Sequence, residues 1–381
     1  MLNLDSIKIE VRQIDISKMI TGVTIYESIF GLLKGAITVK DGINFFDNFI
    51  GTDLAPIDFT FSYLNKEFRC GFMVDGISNM RITKQVKDYI IHLVSFHTPV
   101  FAESINGTFS GTSDEIISDI FADISHHDAK LEIDSVADTS GRYIAPNIPA
   151  RSCLDKLVKN AYDVQQSGMF LYQRFADNNA IRLTSLGDML KNYFIDEVGD
   201  EVSIKDAVLD GPAGAPLSGI STLGTSATFI MKEYNMDLVQ KLEDGIWGEQ
   251  TNVINLDETK RTKNVTKEAT EIPKTKFKLS DKLYADDVKS IFATRGDVAN
   301  SAIFNHKVRT FNSILEVKNM VALPTLGVGM CITLEMGGGN RSYSRQDGHY
   351  LVKHIQHNFT IDGGKYEYSQ DLGLARESWM R

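Results

Sequence analysis

Thr24-Ile-Tyr-Glu-Ser-Ile-Phe-Gly-Leu-Leu-Lys-Gly-Ala-Ile-Thr-Val-Lys-Asp41 is the stretch on which the reading of this chain turns. Its first part is β-branched and aromatic, Gly31 and Gly35 interrupt it, and Ala36-Ile37-Thr38-Val39-Lys40 alternates small or apolar with polar residues. A period of two marks a strand with one buried face. No catalytic constellation lies in it; its chemistry is pairing and packing.

The flanking sequence extends the pattern. Ile7, Ile9 and Val11 share one face and Ile14 and Ile16 the other, so the parity change at Arg12-Gln13 predicts a bulge. Ile57-Asp58-Phe59-Thr60-Phe61-Ser62-Tyr63 alternates without a break, and Phe72 to Ile82 and Tyr89 to Phe96 add two more strands. Asn44 to Phe49 reads as a short capped helical turn. Residues 1–105 are therefore expected to form a first small antiparallel β-barrel.

Residues 106–208 read as an α+β domain. Thr112 and Glu115 have capping-box spacing, and Ile116, Ile117, Ile120, Phe121 and Ile124 follow at helical spacing, which predicts a helix over 113–125. A second helix is expected after Pro149, capped by Ser152 and Asp155 and ending near Val164, with Leu154, Leu157, Val158 and Ala161 on one side. Phe170 to Phe175 and Ala180 to Leu183, separated by Asn178-Asn179, read as a hairpin.

Residues 210–224 are rich in Gly, Pro and Ser, and predict a linker where the chain changes units. Residues 241–304 form a charged, partly helical insertion, with a helix expected over 280–294 and Gly296 as its stop. Strands return at 309–317, 329–336, 349–359 and 365–374, so residues 209–240 and 305–381 are assigned to a second β-barrel. Val74-Asp75-Gly76-Ile77 and its sequel echo Val352-Lys353-His354-Ile355, with the spacing slipping by one residue between Ile77 and Ile82. Such an echo is what a duplicated barrel would leave, and also what antiparallel strands produce by coincidence. The fold class is a β-rich α+β multidomain chain: two similar small antiparallel β-barrels, an α+β domain and the charged insertion.

At 381 residues, with 43% hydrophobic and 24% charged residues, the chain is long enough for several packed units and ordinary in composition. Its formal net charge of -10 argues against gripping nucleic-acid phosphates as a main task. Cys70, Cys153 and Cys331 are odd in number, far apart and without metal-ligand spacing, and read as reduced core residues. The start lacks a signal-peptide pattern and no uncharged apolar run approaches 18 residues, so folding in a cytoplasm without membrane insertion is expected.

Each chemical motif has a plainer reading. Gly327-Val-Gly329 lacks the later glycine of a dinucleotide site, and Gly337-Gly338-Gly339-Asn340-Arg341-Ser342 lacks the lysine of a phosphate loop. Ser226 lacks the second glycine of a nucleophile elbow. His349, His354 and His357 are the most metal-like group, but 354 faces away from the other two on a strand. His126-His127 suits a helix C-terminus, and Asp286-Asp287 is a chance pairing among 50 acidic residues. No catalytic, cofactor-binding or metal-ligating residue is assigned.

Tyr26-Glu27-Ser28-Ile29-Phe30-Gly31, then Gly35, an Ile-Thr-Val strand and Asp41, resembles the opening β-domain of baseplate central hub proteins from contractile-tailed bacteriophages. The middle of the chain is also similar to that family. It carries Pro146-Asn147-Ile148-Pro149, a helix with Leu154, Leu157 and Ala161, an aromatic hairpin with Phe170 and Tyr172, and Ser185-Leu186-Gly187-Asp188. The family's large aromatic after Pro-Asn is Ile148 here, and its acidic residue after the hairpin tyrosine is Gln173. These residues are structural in the family.

The resemblance implies a non-enzymatic virion protein without cofactor, placed in the tail baseplate and assembled in the host bacterial cytoplasm. It implies a homotrimer whose six barrels adapt a sixfold tail tube protein to a threefold central spike protein. Tape measure and baseplate wedge proteins would be neighbours, and DNA would pass through the channel without specific binding. Two other readings stay open: the N-terminal hub part of a VgrG-type injection or secretion spike, and a glycan-binding or glycan-cleaving tail module.

Overall fold

A computed structural model describes residues 2–43, 45, 55–63, 65–83, 86–124, 130–138, 140–163, 168–177, 180–191, 203–205, 228–234, 249–255, 260–267, 313–335 and 348–376. The expected linker at 210–224 and helix at 280–294 lie outside these residues, as do all of the Asn44–Phe49 turn but Phe45, and His126-His127.

The first run of strands is β1 (Leu2–Asn3), β2 (Ser6–Val11), β3 (Ile14–Asp15), β4 (Ile20–Ser28), β5 (Lys34–Asp41), β6 (Pro56–Tyr63), β7 (Lys66–Ile82) and β8 (Lys87–Ser95). The middle of the chain holds β9 (Ser104–Thr112), α1 (Ser113–Ile124), β10 (Leu131–Ile133), β11 (Ser140–Pro149), α2 (Ala150–Asn160), β12 (Met169–Gln173), β13 (Ile181–Ser185) and α3 (Leu186–Lys191). Then come β14 (Ser203–Lys205), β15 (Thr228–Tyr234), β16 (Glu249–Asn255), β17 (Lys260–Lys267), β18 (Ser313–Val321), β19 (Cys331–Glu335), β20 (Gly348–Asp362) and β21 (Lys365–Arg376). The fold is β-rich α+β.

The barrels are corrected. Among the described residues no sheet closes into a barrel; strands from both ends of the chain join one 14-stranded sheet, whose path runs β15-β18-β21-β20-β4-β5-β8-β7-β6-β2-β3. The decisive step is the antiparallel pairing of β4 with β20, from His354↔Ser28 to Thr360↔Gly22. Alternation tells which face of a strand is buried, but leaves its neighbour open. One core accordingly mixes Ile9, Val23, Ile37, Phe59 and Ile91 with Phe359 and Tyr368.

The bulge expected at Arg12-Gln13 is a turn. Both residues have positive φ, 48° and 69°, and Val11 pairs directly with Ile14. A two-residue hairpin loop of this kind reverses the chain and the parity together. The echo between the two long hairpins has a structural counterpart: β7 against β8 shifts register between Val74 and Gly76, and β20 against β21 between Val352 and His354. A further shift between Ser78 and Arg81 accounts for the slipped spacing.

In the middle unit α1 follows the expectation. Its start is fixed by Thr112 N–H donating to Glu115 Oε2 at 2.8 Å, and Ile116, Ile117, Ile120, Phe121 and Ile124 are buried. Helix α2 begins earlier than expected: Pro149 is its N-cap, without a side-chain cap, so Ser152 and Asp155 lie inside the helix. Pro149, with ψ 137°, is still extended, and the first turn starts at Ala150. These helices pack with the ribbon β9–β11 and the sheet β10-β13-β12 around Leu154, Leu157, Ala161, Ile181 and Leu183. The described part of the charged insertion is a hairpin, β16–β17. No helix among the described residues is long and apolar enough to cross a membrane.

Candidate functional site

On β4, Val23, Ile25 and Glu27 turn inward, while Thr24, Tyr26 and Ser28 turn outward. Glu27 is 1% exposed, and a carboxylate so placed must be fully hydrogen-bonded. Its Oε1 accepts the Val328 N–H at 2.8 Å, and its Oε2 lies 2.9 Å from His357 Nε2. His357 Nδ1 is 2.7 Å from the Tyr368 hydroxyl, and Gln370 Nε2 donates to that hydroxyl at 3.0 Å. The carboxylate needs a donor, so His357 carries its proton on Nε2 and accepts the Tyr368 O–H at Nδ1. Burial holds the Tyr368 phenol well above its ordinary pKa, which keeps this donor protonated.

The same chain of bonds grips the loop between β18 and β19. Gln370 accepts the Leu323 N–H at 2.9 Å and donates to its carbonyl at 3.1 Å. From the middle unit, Arg174 Nε donates to Val328 O at 2.8 Å, and its guanidinium also reaches the Tyr172 hydroxyl at 3.3 Å. The two loop glycines mark this close approach. A Cβ on Gly327 would meet Arg174 Cδ at 2.9 Å and Glu27 Oε1 at 3.2 Å; one on Gly329, which has φ +77°, would meet the Tyr172 hydroxyl at 2.5 Å. Three parts of the chain are thus fastened at one point.

A carboxylate, imidazole and phenol in series resemble a proton relay, but Glu27, His357 and Tyr368 are each 1% exposed or less. No substrate reaches them, and the arrangement acts as a fastening.

The remaining motif residues disperse. Tyr26 and Phe30 are 50% and 51% exposed; Ile29 is buried and Ser28 Oγ accepts the Phe30 N–H at 3.3 Å. Gly35 lies where a Cβ would meet Thr24 O at 2.9 Å. Asp41 is buried and its Oδ1 accepts the Ile43 N–H at 3.0 Å. Asn147 has φ +52° at the register shift between Pro146 and Ile148, and Pro149 starts α2. Leu154, Leu157 and Ala161 belong to the core of the middle unit, whereas Phe170 and Tyr172 belong to the core that contains β18 and β20. Gln173 Oε1 accepts the Leu33 N–H at 3.3 Å.

Sequence reading did not single out Arg174, Tyr368 or Gln370, and weighed His357 only as a metal ligand. Gln370 carried a signal, being a polar residue on the inward parity of Tyr368, Leu372 and Leu374. His354 lies on the other face of β20, its ring covering Gly373. Among the described residues no group of His, Cys, Asp and Glu is arranged to hold a metal ion.

A second polar cluster lies on the sheet β10-β13-β12. Arg182 is bound by Glu132 at 2.7 Å, Asp134 at 2.9 Å and Asp177. Burial works against its charge, yet these carboxylates hold the guanidinium pKa above its ordinary value.

No family model and no curated protein matches this sequence. Solved structures do match its fold. A 43 kDa tail protein of prophage MuSo2 from Shewanella oneidensis aligns over 100% of both chains, with a TM-score of 0.60 and 9% identity. A tail protein from Neisseria meningitidis MC58 aligns over 97% of this chain and 96% of its own, with a TM-score of 0.58 and 7% identity. The fold is shared with phage tail proteins. It is shared too with a chain of the Francisella PdpA-VgrG complex, where 98% of this chain covers 58% of that one, at a TM-score of 0.52 and 12% identity.

Proposed function

We propose that this chain is a structural component of a phage tail, the central hub of its baseplate, and that it carries out no reaction. The observation that carries the reading is the end-to-end likeness to the Shewanella prophage tail protein. The buried fastening agrees with it, because a load-transmitting part gains from rigid joints between its units. In this reading residues 1–105, 106–208 and 209–240 with 305–381 are its working units, and 241–304 is an insertion. Three copies form a ring that adapts the sixfold tail tube protein to the threefold central spike protein, with tape measure and wedge proteins as neighbours. DNA passes through the ring unbound, and the net charge of -10 disfavours phosphate adhesion.

The likeness to a PdpA-VgrG chain favours one second reading, the N-terminal hub part of an injection or secretion spike. Native mass of the purified protein, alone and mixed with tail-tube and spike proteins, tests both readings alongside negative-stain class averages. A three-chain ring is expected, and preference for a phage or a secretion tube separates the two. A chain that stays monomeric with every such partner overturns both, and binding or turnover of cell-wall glycans by that monomer would then identify a glycan module.

A further inference from the structure

We draw no further inference here: the strongest candidate, the buried guanidinium of Arg174 beside the β18–β19 loop as a receptor for an anionic group, belongs to the fastening already described, where it is bonded to Val328 O and the Tyr172 hydroxyl and where the Glu27 carboxylate lies against the same Gly327.

Discussion

Glu27 illustrates how much one residue can hold together. Its carboxylate joins β4 to His357 of β20 and to the backbone of Val328, and neither partner has access to water. Glu27→Ala strands a buried imidazole and a buried N–H, so a loss of about 3 kcal/mol is expected in urea unfolding. Glu27→Gln, which keeps an acceptor for Val328, should lose less. Gly373→Ala drives a methyl into the His354 ring and should cost about 1–3 kcal/mol, as overpacking does; His354→Ala in the same chain should return most of it. The thiols give a pH prediction. Burial raises Cys331 to about 12 and Cys70 higher still, so at pH 8 only about one Cys331 thiol in ten thousand is a thiolate. Folded protein should resist iodoacetamide there, while urea-unfolded protein reacts. Because the folded state keeps its thiol protons longer, this contribution to stability is complete below about pH 9 and declines as pH rises toward 12. A melting temperature that stays flat from pH 8 to pH 11 would contradict that. That these cysteines are buried was legible from their spacing; the inward side of Glu27 follows from its parity with Val23 and Ile25, but the partners that satisfy its carboxylate do not.

Helix α1 shows why some elements are legible from sequence. Its capping signal and its apolar stripe lie within a dozen residues, so local chemistry alone determines where it begins. Glu115→Ala removes the acceptor of the Thr112 N–H, and a loss of about 1 kcal/mol is expected by thermal or urea unfolding, with Glu115→Gln close to wild type. Helix α2 was legible in its apolar side and misread at its start, because the chain turns helical at Ala150, straight after the extended Pro149 and without a side-chain cap, so Ser152 falls inside the helix. The Arg12-Gln13 reversal was misread for a related reason. A bulge and a two-residue turn both invert the parity of the next residues, and only the pairing of Val11 with Ile14 distinguishes them.

Across the whole molecule, the pairing of β4 with β20 makes the first and last parts of the chain interdependent. A truncated chain of residues 1–191 would leave the edge of β4 unpaired and Glu27 without His357 or Val328. It is expected to aggregate, with static light scattering rising while the full chain stays clear. A soluble, cooperatively folded fragment would show that the first strands close on themselves without β20.

The sequence by itself determined the strand-rich class, the buried faces of β2, β5 and β6, helix α1 and the apolar side of α2. Each depends on a period of two or of 3.6 residues, or on a cap within one turn, and such signals are local. Tertiary structure alone decided that the strands join one sheet in place of two barrels, and that Glu27, Arg174, His357, Tyr368 and Gln370 meet. Those partners are as far as 330 residues apart along the chain, as Glu27 and His357 are. Alternation fixes which way a side chain points but says nothing of which strand lies beside it, and that choice is made by the packing of the whole core.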